Sequence, residues 1–208
     1  MTKGRFITLE GGEGAGKSTQ VKALARALRT RGLSVVETRE PGGSDGAEAI
    51  RALLLNGAAD RWSPRAEALL FAAARADHVE KMILPALESG SWVLSDRYLD
   101  SSRAYQGTGE LADVDIMALH RIGCDGFLPD RTFFLTLPQD EAERRARTRD
   151  NDRSDRIGGR DAAFHRQVAD AFKGLAARES DRIWMIDASG GPDDVTGQLL
   201  LALEDLLP

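Results

Sequence analysis

Three observations predict an α/β fold with a five-stranded parallel sheet flanked by helices on both faces. Five short β-rich runs alternate with longer helical patterns. Such alternation indicates a parallel sheet wrapped by helices, whose buried strands read as nearly continuous apolar runs. The 208 residues suit one well-buried core and are short for two, so a single domain over 1–208 is expected.

Taken in order, RFITLE (5–10) is the first strand and the helical pattern Lys17 to Thr30 follows it. VVETR (35–39) is the second strand, followed by a helix at Asp45 to Leu55. A long helix is expected over Pro64 to Glu88, with Ser63 as a capping hydroxyl before a proline that has no N–H to lose. WVLSD (92–96) is the third strand and Asp113 to Ile122 the next helix. RTFFLTL (131–137) is the fourth strand, with a helix at Gln139 to Thr148 after it. Asp161 to Glu179, the strand RIWMID (182–187) and Asp193 to Leu206 complete the alternation. Between Arg147 and Arg160 the chain is polar, contains glycine and has no hydrophobic period, which reads as a mobile loop. Apolar positions around much of the 64–88 helix, among them Leu69, Leu70, Val79 and Ile83, exceed what one sheet face needs. A helix-packed homodimer is therefore expected.

Composition narrows the ligand classes. A net charge of −5 argues against an extended nucleic-acid surface, which needs clustered cations over a broad face. An anionic ligand must instead meet local positive charge. The cations are 23 Arg and 5 Lys, and arginine supplies planar, bidentate donors wherever anion geometry matters. The single cysteine, Cys124, forms no internal disulfide, which suits a cytoplasmic setting. No apolar stretch approaches the roughly 18 residues of a membrane span, and no secretory signal precedes FITLE, so no membrane partner is expected. His78, His120 and His165 show no metal-ligand spacing and receive no function.

The first strand runs into GGEGAGKST, Gly11 to Thr19. Gly11, four residues, and then Gly16-Lys17-Ser18 fit G-x-x-x-x-G-K-[ST], directly after a strand and before a helix. Gly11, Gly12, Gly14 and Gly16 let the backbone N–H groups of the loop, with those of Glu13, Ala15 and Thr19, turn toward phosphate oxygens. Lys17 would reach the β- and γ-phosphates and Ser18 would ligate Mg²⁺. Gly12, Gly14 and Gly16 do not form the G-x-G-x-x-G spacing of a dinucleotide site. No N/T-K-x-D element follows a later strand, as guanine reading would require. The third strand ends Asp96-Arg97 rather than Asp-Glu, and a cation there suits a phosphate acceptor better than water.

These residues resemble bacterial thymidylate kinases. The resemblance rests on EGGEGAGKST, TREPGG (38–43), LLFAAARADH (69–78), SDRYLDSSRAYQG (95–107) and an Arg-rich loop, in order over nearly the whole chain. It implies a P-loop kinase fold with a mobile lid at about 147–160, and transfer of the γ-phosphoryl group of ATP to dTMP, giving dTDP and ADP for dTTP synthesis. It places Arg39 and Glu40 near the acceptor and Pro41 against its base. Phe71 and Arg75, four apart on one helix face, would stack on the pyrimidine and donate to its carbonyl. Asp96 would organise Mg²⁺, Arg97 would grip the acceptor phosphate, and Ser101, Ser102, Tyr105 and Gln106 would line the nucleoside. The Tyr105 ring near C2′ would exclude a ribose hydroxyl. Two positions depart from the family: Ile157 is followed by Gly158-Gly159, and Phe172 stands where tyrosine is common.

From Arg144 to Arg160 seven arginines accompany three aspartates. Phosphoryl transfer spreads negative charge over the equatorial oxygens, and an arginine in cis stabilises it. Arg149 and Arg153 are the expected lid catalysts, with Arg147 and Arg156 behind them. Glu13, a carboxylate in a phosphate loop, is expected to point away from ATP, toward the acceptor sugar's 3′-hydroxyl and a descending lid arginine.

Overall fold

The computed structural model describes residues 4–107, 109–138, 140–142, 144–145 and 155–208. The first half of the chain runs β1 (Phe6–Glu10), α1 (Lys17–Thr30), β2 (Val35–Arg39), α2 (Asp45–Leu55) and α3 (Pro64–His78). A π-helical segment (Val79–Ile83) then leads to α4 (Leu84–Glu88), β3 (Trp92–Asp96), α5 (Leu99–Tyr105) and α6 (Asp113–Cys124). The rest is β4 (Arg131–Thr136), α7 (Ala162–Arg178), β5 (Ile183–Asp187) and α8 (Pro192–Leu201). The sheet is parallel throughout, in the order β2-β3-β1-β4-β5.

Alternation along the strands divides the core. Ile7, Leu9, Leu94, Phe133 and Leu135 point to one face, where Val21, Leu24, Ala25 and Leu28 of α1 and Val195 and Leu199 of α8 cover them. Phe6 and Val93 face the other side, against Ala68, Val79 and Ile116 of the α3–α6 layer, and Phe134 packs there with Phe172 of α7. Thr8 of β1 and Thr132 of β4 bond hydroxyl to hydroxyl at 2.8 Å, so these polar groups enter the sheet satisfied.

All five expected strands are present, shortened by Arg5, Leu137 and Arg182. The 64–88 helix differs from expectation. Its cap forms as read, with Ser63 accepting from Ala66 N. Pro85, however, cannot donate to the carbonyl four residues back and its ring clashes there. The chain widens one turn ahead of it into the π-segment, where Leu84 N–H reaches Val79 O. The last helix stops at Leu201 rather than Leu206. Beyond it the bonds tighten to three-residue spacing, as in Leu203 N to Leu200 O, while Arg131 takes the Ala202 carbonyl. Of the expected 139–148 helix, residues 140–142 and 144–145 are helical and the rest lie outside the described residues.

With β1 central and its neighbours reached by crossovers to either side, the crevice opens where β1, β2 and β3 end. Open α/β sheets bind ligands at such reversals of strand order. Register puts Leu9 and Arg39 both opposite Asp96.

Candidate active site

A cleft of about 690 Å³ lies at that edge. Gly11 leaves β1 at φ +143, and a Cβ there would stand 2.8 Å from Leu135 O, so only glycine fits. Gly16, at φ +88, turns the loop into α1. The first turn of α1 carries no acidic side chain, which leaves the positive helix end available to an anion. Lys17 Nζ donates to the carbonyls of Gly11 at 3.1 Å and Gly12 at 2.7 Å. Burial, and then repulsion from Arg97, lower its pKa to about 8. Ser18 Oγ donates to Asp96 Oδ2 across the cleft, so the two oxygens expected at a metal are neighbours.

Arg97, at φ 73, folds back over the loop. Its Nη1 donates to Gly11 O and Ser101 Oγ, each at 3.0 Å, and its Nη2 to Glu13 Oε1 at 2.7 Å. Burial opposes its charge, but the Tyr105 oxygen, Glu13 and Asp96 outweigh that and raise its pKa. Glu13 is thus an ion-pair partner of the cation that follows β3.

Below Arg97, Glu10 is wholly buried at the end of β1. It accepts from Tyr98 N at 2.8 Å and from Ser101 Oγ at 2.5 Å. Burial and the nearby Asp100 raise its pKa. Asp100, also buried, takes Arg182 through both oxygens at 2.7 and 2.9 Å, which pins α5 to the residue that leads into β5 and presents Ser101, Ser102 and Tyr105 to the cleft.

The far wall is α3. Arg75 is buried, with Nε donating to Glu40 Oε2 at 2.8 Å and Nη2 to Ser102 Oγ at 2.7 Å. Its pKa is raised, Glu40 overriding the burial. Phe71, one turn earlier, and Pro41, after a cis Glu40–Pro41 peptide, line the same space. Gln106 donates its amide to Glu67 Oε1 at 2.9 Å.

A family model described as thymidylate kinase matches residues 9–199. The chain belongs to the thymidylate kinase family. It is 64% identical over 206 residues to a thymidylate kinase of Rhizorhabdus wittichii, covering 99% of each chain. It is 48% identical over 202 residues to that of Caulobacter vibrioides, covering 96% of this chain and 95% of the relative. The crystal structure of thymidylate kinase from Ehrlichia chaffeensis aligns over 97% of this chain and all of its own, with a TM-score of 0.79 at 30% identity.

Of the residues singled out from sequence, Glu13 to Thr19, Arg39, Pro41, Phe71, Arg75, Asp96, Arg97, Ser101, Ser102, Tyr105 and Gln106 line this one cleft. Gly11 and Gly12 meet it through the carbonyls that hold Lys17. Arg147, Arg149 and Arg153 lie outside the described residues. Arg156 is a different case, because its side chain is buried, on Glu67 Oε2 at 2.5 Å and Leu54 O at 2.7 Å. It anchors the segment and does not line the cleft.

Several cleft residues escaped the sequence reading. Arg51 lines the acceptor end, with Nη1 on Pro41 O at 2.7 Å. At the opposite end Arg145 donates to Ala188 O at 3.1 Å and Gln20 to Pro192 O at 2.9 Å, enclosing space beside Gly190 and Val195. The α5 helix was also missed, because its seven residues are too few to establish a period. Glu10 did leave a signal, a carboxylate ending an otherwise apolar buried strand.

Proposed function

We infer that this cleft transfers the γ-phosphoryl group of ATP to the phosphate of dTMP, giving dTDP and ADP. One observation carries the reading: Lys17 and Arg97 both donate to the carbonyl of Gly11. The cation suited to the donor's phosphates and the cation suited to the acceptor's phosphate therefore converge on one point, where two anionic nucleotides would meet end to end.

The acceptor oxygen is already an anion, so it needs alignment and charge cancellation rather than a base. The loop amides and the start of α1 hold the donor's phosphates, and Lys17 moves from the Gly11 and Gly12 carbonyls onto them. Arg97 takes the acceptor phosphate, steadied by Glu13 and Ser101. Phe71 covers the pyrimidine face, Arg75 donates to a base carbonyl, and Tyr105 fills the space a ribose 2′-hydroxyl would need. Arg149 and Arg153 remain the proposed lid arginines that cancel charge on the transferred group and help exclude water. Ser18 and Asp96 fit Mg²⁺, a hard cation that takes one or two protein oxygens beside phosphates. When bound, the ion neutralises charge on the donor's phosphates.

The enzyme is proposed to act as a cytoplasmic homodimer. Leu69 of α3 and Val114 and Ile122 of α6 are exposed on two helices that pack together, and sedimentation of the purified protein measures that state. The reaction is tested by coupled-assay turnover with dTMP, dUMP, UMP, AMP and thymidine. Fastest phosphorylation of dTMP is expected, with residual dUMP activity because one methyl discriminates by about 1–3 kcal/mol. Preference for thymidine would instead indicate a nucleoside kinase and overturn the assignment.

A further inference from the structure

We propose that His78 is a positioning residue for the acceptor base: it holds Glu40 in the orientation that fixes Arg75 at the cleft wall. His78 lies three residues after Arg75 on α3, is fully buried and stands outside the cleft lining. Its Nδ1 is 3.0 Å from Glu40 Oε1 and its Nε2 is 2.7 Å from Thr38 Oγ1. The other oxygen of the same carboxylate, Oε2, accepts Arg75 Nε. A carboxylate only accepts, so the imidazole proton sits on Nδ1 and the Glu40 group is clamped from two sides.

The chain is shaped around this ring. Gly43, at φ +89, passes so close that a Cβ would lie 2.4 Å from His78 Nε2 and 2.5 Å from Thr38 Oγ1. Beyond the clamp, Arg75 Nη2 is occupied by Ser102 Oγ and Tyr98 O. Among the described residues Nη1 is the nitrogen left for a ligand. Its direction follows from where Nε is held, and Nε is held by a glutamate whose own torsion His78 restrains. Loss of the imidazole bond frees Glu40 to rotate and lets the guanidinium turn with it, because a buried network keeps one geometry only while every member is satisfied.

The proposal deepens the acceptor reading and rests on Arg75 meeting the base. Two substitutions separate the two bonds of the ring. His78→Asn keeps a donor near the Nδ1 position, and His78→Gln keeps a polar group near the Nε2 position instead. Expected is a KM for dTMP within about threefold of the parent in His78→Asn and about tenfold higher in His78→Gln, with kcat and the KM for ATP little changed in both. Thr38→Val, nearly isosteric, provides a second route if His78→Gln folds poorly, with a smaller rise in KM.

A measurement without substrate isolates the relay. The NMR resonance of Arg75 Nε–H should keep its position in His78→Asn and shift or broaden in His78→Gln. Equal KM values in the two His78 variants, or an Arg75 resonance indifferent to both, overturn the proposal. Failure of the base-contact reading looks different: Arg75→Lys would then leave the KM for dTMP unchanged while the resonance still responds to His78.

Discussion

Between Gly11 and Thr19 the proposed donor cradle is one contiguous turn of backbone. The proposed acceptor half draws Glu40, Arg75, Arg97, Ser102 and Tyr105 from three separate segments, each side chain held by another. The first half depends on what the main chain is free to do, and the second on which side chains keep their partners. Damage should therefore spread differently in each. In the cradle it should follow backbone conformation, and in the pocket it should follow the bonds between side chains.

The largest effect should come from Arg97, the group common to both halves. It donates to Gly11 O, Ser101, Glu13 and Tyr105. Its loss removes the cation proposed for the acceptor phosphate and leaves Glu13 without that partner. Arg97→Ala is expected to lower kcat/KM for dTMP by on the order of 10³-fold, with ADP affinity, measured by calorimetry, changed less than about threefold. Comparable losses on both substrates would break the division into halves.

A pair of alanine substitutions sharpens the cradle side. Gly11→Ala forces a side chain into φ +143 and against Leu135 O, and should destabilise the fold by about 2–3 kcal/mol. Gly12 has open space around its Cβ position, so Gly12→Ala should lie within about 0.5 kcal/mol of the parent. Urea denaturation measures both. Equal values would mean that backbone conformation is not what distinguishes the two glycines.

The same contrast governs how much the sequence disclosed. A backbone site is written contiguously, so GGEGAGKST carried its own spacing, and strands such as WVLSD stood out by composition. The crossovers and the sheet edge followed from alternation alone. The supports of the pocket are of another kind. That His78 touches Glu40, or that Asp100 holds Arg182, depends on chain distances of 38 and 82 residues that no local pattern encodes. Arg156 shows the converse error. Its neighbours made it look like one more lid cation, whereas its bonds to Glu67 and to the Leu54 carbonyl, 89 and 102 residues away, make it an anchor. The π-segment ahead of Pro85 was open to inference, since a proline inside a helical period must be accommodated somewhere, but the choice between kink, break and widened turn belongs to packing.

The smallest expected effect concerns protons, and it separates the halves again because one relies on a lysine and the other on arginines. Lys17 is lowered from 10.5 to about 8 by burial and then by Arg97. A depressed amine contributes stability above its unfolded pKa of 10.5, and that contribution is lost as pH falls through about 8. Below pH 8 the free enzyme therefore carries a buried, poorly compensated ammonium, and the phosphates of a nucleotide supply the missing charge. Binding of ADP should take up a proton above pH 8, and its affinity should weaken by up to about tenfold between pH 8 and 9, equivalent to about 1.4 kcal/mol per unit. Nucleotide phosphates have finished ionising by then. Affinity for dTMP should fall by less than about threefold over the same range, since its arginines keep their charge and only Glu10, raised by burial and Asp100, adds an anion beneath Ser101. Calorimetry in two buffers of different ionisation enthalpy reads the proton directly. Lys17→Met should abolish the uptake, and a slope that survives this substitution would assign the proton to another group.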